Sequence, residues 1–224
     1  MIPQHLDVSR ETEAKLHAFV DLVQTWSRAI NLVGRKDLSE LWSRHVIDSA
    51  QLLPLAGTSA GTWLDLGSGG GFPGFVIALL GQARGLSVTL VESDSRKAEF
   101  LRSASRTLTC PVAVLAQRIE DTTPQNADVV SARALAPLTR LLHLAQPHRH
   151  SGTLCLFPKG QSFQKELEEA RREWHVGPDI IRSETDPSAV ILKIGAYGRA
   201  KDRQAQTALP DKSKGRRRQD NHHD

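Results

Sequence analysis

The sequence predicts an α/β fold: a mostly parallel sheet with helices on both faces, preceded by a helical subdomain. Three observations predict it. A strand, a glycine-rich turn and a helix follow one another directly over residues 63–80. Strand-like apolar runs then alternate with helix-like stretches to about residue 160. A polar or charged residue stands just after each successive strand, where open parallel sheets place their ligand sites.

The central stretch carries most of this reading. Trp63-Leu64-Asp65-Leu66 has the character of a short buried strand, and Phe75-Val76-Ile77-Ala78-Leu79-Leu80 that of an apolar helix opening on Pro73. Between them five glycines fall from Gly67 to Gly74. Glycine lets a backbone turn tightly and approach a ligand closely. The helix N-terminus behind them offers free N–H groups and partial positive charge.

Upstream, Leu16, Phe19, Val20, Val23, Trp26 and Ile30 share one helical face over residues 10–30, and Asn31-Leu32-Val33-Gly34 breaks the helix. Asp37 or Ser39 can cap a second helix running to about Leu53, which Pro54 and Gly57 end. Residues 1–57 therefore form an N-terminal helical subdomain. The α/β core spans 58–197, with further strands at 86–91, 112–116, 127–131 and 152–157, helices at 95–107, 137–146 and 161–175, and a closing strand pair at 180–183 and 190–194. Residues 198–224 hold Leu209 as their one large apolar residue and are expected to be a disordered basic tail.

Composition sets further bounds. The net charge is +4 over 224 residues, and the eight Lys/Arg and four Asp of residues 198–224 account for all of it. Such a tail suits nucleic acid, and a solubilising end fits it equally well. Cys110 and Cys155 lie far apart and match no metal spacing, as in a cytoplasmic protein with reduced thiols. The N-terminus lacks the basic and apolar regions of a signal peptide, and the longest apolar run is too short to span a membrane.

The register of the glycines bears on the ligand. Gly69, Gly71 and Gly74 fit the dinucleotide spacing, but the strand ends at Leu66, so the pattern becomes Asp65-x-Gly67-x-Gly69-x-Gly71. That form resembles motif I of the Rossmann-like S-adenosylmethionine-dependent methyltransferases. After the second strand, Glu92 can accept both ribose hydroxyl protons. Ile119 beside Glu120 offers an apolar face and an acceptor for adenine. Arg133 follows the fourth strand and Lys159 the fifth, where substrate-facing groups belong. Arg133 cannot act as a base but can hold a phosphate, the cofactor's carboxylate or a guanine edge. An amino-methylase Asp/Asn-Pro-Pro-Tyr/Phe segment and a Pro-Cys nucleophile are both absent; the order here is Cys110-Pro111.

Asn31-Leu32-Val33, His45-Val46-Ile47-Asp48-Ser49, Leu64-Asp65-Leu66-Gly67-Ser68-Gly69-Gly70-Gly71-Phe72-Pro73-Gly74, Gln117-Arg118-Ile119-Glu120, Ser131-Ala132-Arg133-Ala134 and Lys159-Gly160 occur in the order seen in the RsmG (GidB) family. The resemblance covers about residues 10–195, and the segment ending Phe72-Pro73-Gly74 is its most specific part. It implies an enzyme that methylates N7 of a guanine in 16S ribosomal RNA. It further implies that Gly67, Phe72, Ile119, Glu120 and Arg133 contact S-adenosyl-L-methionine. Arg118 and Lys159 also match family positions and, with Arg133, are the substrate-facing candidates. The expected partner is 16S rRNA or the small ribosomal subunit, met by a monomer, with no membrane. The rival readings are a small-molecule or protein methyltransferase, an RNA-binding regulator with a vestigial pocket, and a nicotinamide oxidoreductase.

The chemistry agrees with that resemblance. Guanine N7 carries an in-plane lone pair and loses no proton on attack. Alignment and exclusion of water suffice, so no catalytic base, covalent nucleophile or metal is expected. His45 and Asp48 stand three residues apart on a predicted helix and are read as a structural contact between subdomain and core. His148-Arg149-His150 and His222-His223 are read as solvated.

Overall fold

A computed structural model of the chain describes residues 8–34 and 40–200. Helix α1, Arg10–Trp26, begins where Ser9 accepts a hydrogen bond from the Thr12 amide, with Glu11 and Glu13 in the first turn. It buries Leu16, Phe19 and Val23 and stops short of the predicted Ile30. The proposed caps Asp37 and Ser39 lie outside the described residues.

The second predicted helix is broken in three. A π-helical turn, Trp42–Ile47, leads into α2, Asp48–Ala50, and α3, Leu52–Leu55. Pro54 does not end it, because it sits in the first turn of α3, where a missing N–H costs little. Gly57 closes the segment with φ +75.

The main sheet has seven strands in the order β3-β2-β1-β4-β5-β8-β7. They are β1 Thr62–Leu66, β2 Ser87–Val91, β3 Ala113–Leu115, β4 Ala127–Ser131, β5 Arg149–Lys159, β7 Asp179–Arg182 and β8 Val190–Ile194. The first five are parallel; β8 runs antiparallel to β5, and β7 to β8. Strand order reverses between β1 and β4, so their carboxyl ends open a crevice there. Helices α4 Gly74–Gly81, α5 Ser95–Thr107, α6 Leu138–Ala145 and α7 Phe163–Arg171 cover the sheet.

Further along the chain, two boundaries differ from the sequence reading by three residues or more. β5 starts three residues early, at Arg149, because a register shift between Ala127 and Val129 lets it pair below the expected start. Helix α7 ends at Arg171 rather than 175, since Trp174–His175 forms β6 and pairs with β9, Gly198–Arg199. The tail was expected from Gly198, yet Arg199 lies over the buried Trp174 and the Ala200 amide donates to Glu173. His148, expected to be solvated, is buried, and burial lowers its pKa.

The core divides by sheet face. On one side α1, α4 and α5 meet around Phe19, whose ring packs on Phe72, Phe75 and Phe100. On the other, Leu138, Leu141 and Leu142 of α6 pack with Leu167 of α7 and Trp174. Phe19 therefore joins the N-terminal helix to the glycine-rich turn. Phe19→Ala should cost about 3–5 kcal/mol in urea unfolding, as for other fully buried aromatics. A cost under about 1 kcal/mol would show that α1 is not an integral part of this core.

Candidate functional site

The glycine-rich turn begins at the end of β1, and a chain of buried hydrogen bonds sets its position. Trp63 Nε1 donates to Ser131 Oγ at 2.8 Å, and Ser131 Oγ donates to Asp65 Oδ1 at 2.6 Å. The Gly74 amide, at the start of α4, donates to Asp65 Oδ2 at 3.2 Å. Asp65 thus ties β1 to β4 and to α4. It is fully buried, and desolvation pushes its carboxyl up to about 6 against the hydrogen bond from Ser131.

Asp65 was expected to touch a cofactor, but it stands behind the turn and lines neither of the two cavities described below. Gly71, also expected there, faces inward at φ +89. A Cβ on it would lie 2.8 Å from Phe19 Cζ and 2.9 Å from Phe75 Cβ. Its freedom serves core packing, not ligand approach.

The other turn residues floor a cavity of about 640 Å³, within the range of small-molecule sites. Gly67, Ser68, Gly69, Gly70 and Phe72 form the floor. Gly67 has φ +68, and a Cβ there would come within 2.7 Å of Leu135 Cδ1. A Cβ on Gly70 would come within 2.9 Å of the Leu32 carbonyl oxygen. The turn is therefore clasped between the loop after α1 and the loop after β4, with no room for a side chain at Gly67 or Gly70.

Glu92 stands at the end of β2 as expected. Its Oε2 accepts the Gly69 amide at 2.7 Å and its Oε1 the Asp94 amide at 2.8 Å. The carboxylate is nearly buried yet borders the cavity, with lone pairs left to accept from a ligand. Asp94 caps α5 through the Arg96 and Lys97 amides. Across the cavity Ile119 presents a buried apolar side chain beside the exposed Glu120. Glu120 pairs with Arg140, which borders the same cavity. Arg118 lies exposed at its rim.

Arg133 lines this cavity and a second one of about 470 Å³. Its Nη1 donates to the Arg44 carbonyl at 3.1 Å and to Asp48 Oδ2 at 3.2 Å, and its Nη2 meets His45 Nδ1. Its guanidinium also lies over the Phe72 ring. The fork expected to meet a ligand is thus largely given to the N-terminal helices, and His45 and Asp48 converge on it. Lys159 lines only the second cavity, where its Nζ donates to the Ala136 carbonyl and to Glu166 Oε2. Burial works against Glu166, but hydrogen bonds from Lys159, Ser162 and the Leu138 amide outweigh it and lower its pKa.

Sequence reasoning missed several lining residues. Gly70 lay within the glycine run, but the alternating pattern passed over it. Leu32, Val33 and Gln117 stood in motifs of the family resemblance but were given no site role, Gly34 was read as part of a helix break, and Lys97 and Arg140 carried no local signal. Cys110 and Cys155 are buried, and burial pushes their thiols up to about 11 and about 12, so neither is an activated nucleophile.

Comparison with known proteins adds to this geometry. Residues 12–182 match the family model described as rRNA small subunit methyltransferase G. The chain is 53% identical over 197 residues to the ribosomal RNA small subunit methyltransferase G of Cereibacter sphaeroides, spanning 87% of this chain and 95% of that one. It is 49% identical over 192 residues to the protein of the same name from Gluconobacter oxydans, spanning 86% and 97%. Among solved structures, a SAM-dependent methyltransferase from Aquifex aeolicus superposes with a TM-score of 0.53 at 13% identity. That superposition covers 69% of this chain and 92% of the other, a likeness of fold.

The raised Asp65 carboxyl has a consequence for stability. A group whose pKa is higher in the folded state stabilises fully below its unfolded value, and that contribution is lost as pH rises through the folded one. For Asp65 the window runs from about 4 to about 6. Relative to Asp65→Asn, the wild type should therefore lose about 2 kcal/mol of unfolding free energy between pH 4 and pH 7. Urea unfolding at both pH values checks this, and a difference that does not move with pH refutes it.

Proposed function

Because the chain belongs to the rRNA small subunit methyltransferase G family, and so is an S-adenosylmethionine-dependent methyltransferase of ribosomal RNA, we propose that it methylates N7 of one guanine of 16S rRNA across the wall between its two cavities. The observation that carries this reading is that wall, Arg133–Ala136, which borders both cavities. One chamber is suited to the cofactor and the other is open to the base.

The residues of the larger cavity fit the cofactor. The floor at Gly67, Gly69 and Gly70 carries no Cβ atoms and offers its backbone to an amino-acid tail. Glu92, an acceptor held by two backbone amides, suits a pair of ribose hydroxyls. Ile119 suits the adenine face, with Glu120 beside it. Gly69 and Phe72 complete that surface. Asp65, Gly71 and Arg133 are positioning residues in this reading: the first two hold the turn, and Arg133 holds the shared wall to His45 and Asp48.

When bound, the cofactor supplies a sulfonium methyl, which N7 takes with its own lone pair while sulfur keeps the electrons of the broken bond and the positive charge passes to the base. The chain is asked for no proton transfer. Its task is to hold the loop, seat the base and exclude water, which the apolar Phe72, Leu135 and Ile119 help to do. Arg118 at the rim suits an RNA phosphate, whereas Lys159 is bound into the second cavity's frame. We place the enzyme in the cytoplasm with its ribosomal substrate, acting as a monomer.

The direct test maps N7-methylguanine in small-subunit rRNA from a strain lacking this protein. One such residue should vanish and return on complementation; an unchanged map sinks the proposal. Glu92→Gln replaces a charged acceptor with an amide and should weaken S-adenosylmethionine binding roughly tenfold to a hundredfold. Titration calorimetry reads this, and wild-type affinity would move the ribose site elsewhere.

A further inference from the structure

Three carboxylates line the smaller cavity: Asp48, Glu166 and Asp186. Two are already committed. Asp48 Oδ1 accepts from Gln51 and Thr185, and its Oδ2 accepts from Arg133. Glu166 takes Ser162 on one oxygen, and Lys159 with the Leu138 amide on the other. Asp186 differs. Its Oδ1 accepts from the Ser188 amide at 2.8 Å and from Ser188 Oγ at 2.7 Å, while its Oδ2 has no hydrogen-bond partner among the described residues.

This carboxylate is held in place. The loop between β7 and β8 is anchored where the Glu184 amide donates to Gln51 Oε1 and Thr185 Oγ1 donates to Asp48 Oδ1. The hydrogen bonds from Ser188, and more weakly the charge of Arg44 on the same cavity wall, keep the Asp186 carboxyl below its ordinary range, so it is charged at neutral pH. An oriented anion with one open oxygen therefore faces a cavity that shares its wall with the cofactor chamber.

We propose that this smaller cavity takes the target guanine and that Asp186 reads its Watson–Crick edge. The inference rests on the reading that the enzyme methylates guanine at N7. For N7 to face the shared wall, the base must turn its Hoogsteen edge that way. Its N1–H and N2 amino group then point to the far side, as two adjacent donors suited to one carboxylate. Adenine presents a lone pair at N1, which the anion repels. The bond also serves the reaction. As N7 accepts the methyl the base becomes cationic, its N1–H becomes a stronger donor, and attraction to Asp186 grows. An interaction that strengthens towards the transition state raises turnover as well as selecting the substrate.

The test uses the full chain carrying Asp186→Asn, which presents a donor or a weaker acceptor where the charge stood. Three quantities are measured: S-adenosylmethionine affinity, kcat/KM for methyl transfer to small-subunit rRNA, and inhibition of that transfer by GMP, IMP and AMP. GMP offers both donors, IMP lacks the amino group, and AMP has neither donor in place. Wild type should be inhibited in the order GMP, IMP, AMP. The variant should keep cofactor affinity, lose roughly tenfold to a hundredfold in kcat/KM, and show no preference among the three. Ser188→Ala, which removes one of the two bonds orienting Asp186, should shift the same readouts less, and it decides the matter if the first variant does not fold. Wild-type kcat/KM in the variants, a loss that leaves the nucleotide order intact, or a wild type indifferent to the three nucleotides would each overturn the proposal. A wild type that binds the cofactor but methylates no guanine N7 would instead overturn the reading beneath it.

Discussion

The cavity depends on one buried carboxylate. Asp65 accepts from Ser131 on β4 and from the Gly74 amide at the start of α4, and Ser131 accepts from Trp63 on β1. Two strands and a helix N-terminus are thereby fixed relative to one another at the point where strand order reverses. Removing a carboxylate from water is costly, as its raised pKa records. The cost is tolerated because the same group satisfies a helix-start amide and a hydroxyl that would otherwise be buried unpaired. The turn above it inherits that rigidity. A loop that must meet a ligand without side chains has no packing of its own, and it takes its shape from beneath.

The turn is confined from above as well. Leu32, from the loop after α1, meets Gly70, and Leu135, from the loop after β4, meets Gly67. The larger cavity is therefore built jointly by the N-terminal segment and the sheet. Phe19 and Arg133 make the joint in different ways. Phe19 does it by apolar contact with Phe72 and Phe75, and Arg133 by hydrogen bonds to the Arg44 carbonyl, His45 and Asp48. The guanidinium fork suits this duty because one planar group can meet several acceptors at once.

In the proposed function the two cavities divide the demands of a reaction that needs no base. Holding a cofactor calls for backbone access and a ribose acceptor, the roles proposed for the glycine floor and Glu92. Admitting a base calls for a wall of small residues and fixed charges beyond it, the roles proposed for Ala134, Ala136 and the anchored loop before β8, all of which line the smaller cavity. Ala134 itself has φ +52, a backbone state uncommon for a residue with a Cβ, at the point where both cavities share their wall.

The sequence by itself determined the alternating α/β order, the glycine-rich turn after β1, the span of β4 and of α5, Glu92 just after β2 and Ile119 in the loop after β3. These were legible because they depend on local properties: side-chain period, glycine content and the position of one residue relative to its own strand. Tertiary structure alone decided that Asp65 and Gly71 face inward while Gly70 faces the cavity, since neighbouring residues of one turn differ only in what the rest of the chain packs against them. It alone decided that Arg133 reaches back to residues some 85 to 89 positions earlier, and that Trp174 pairs its strand with Gly198–Arg199. It also decided that Asp186, unremarkable in sequence, faces the smaller cavity with one oxygen unengaged. Which partner a polar group finds is settled by distance in space, and local sequence does not carry that distance.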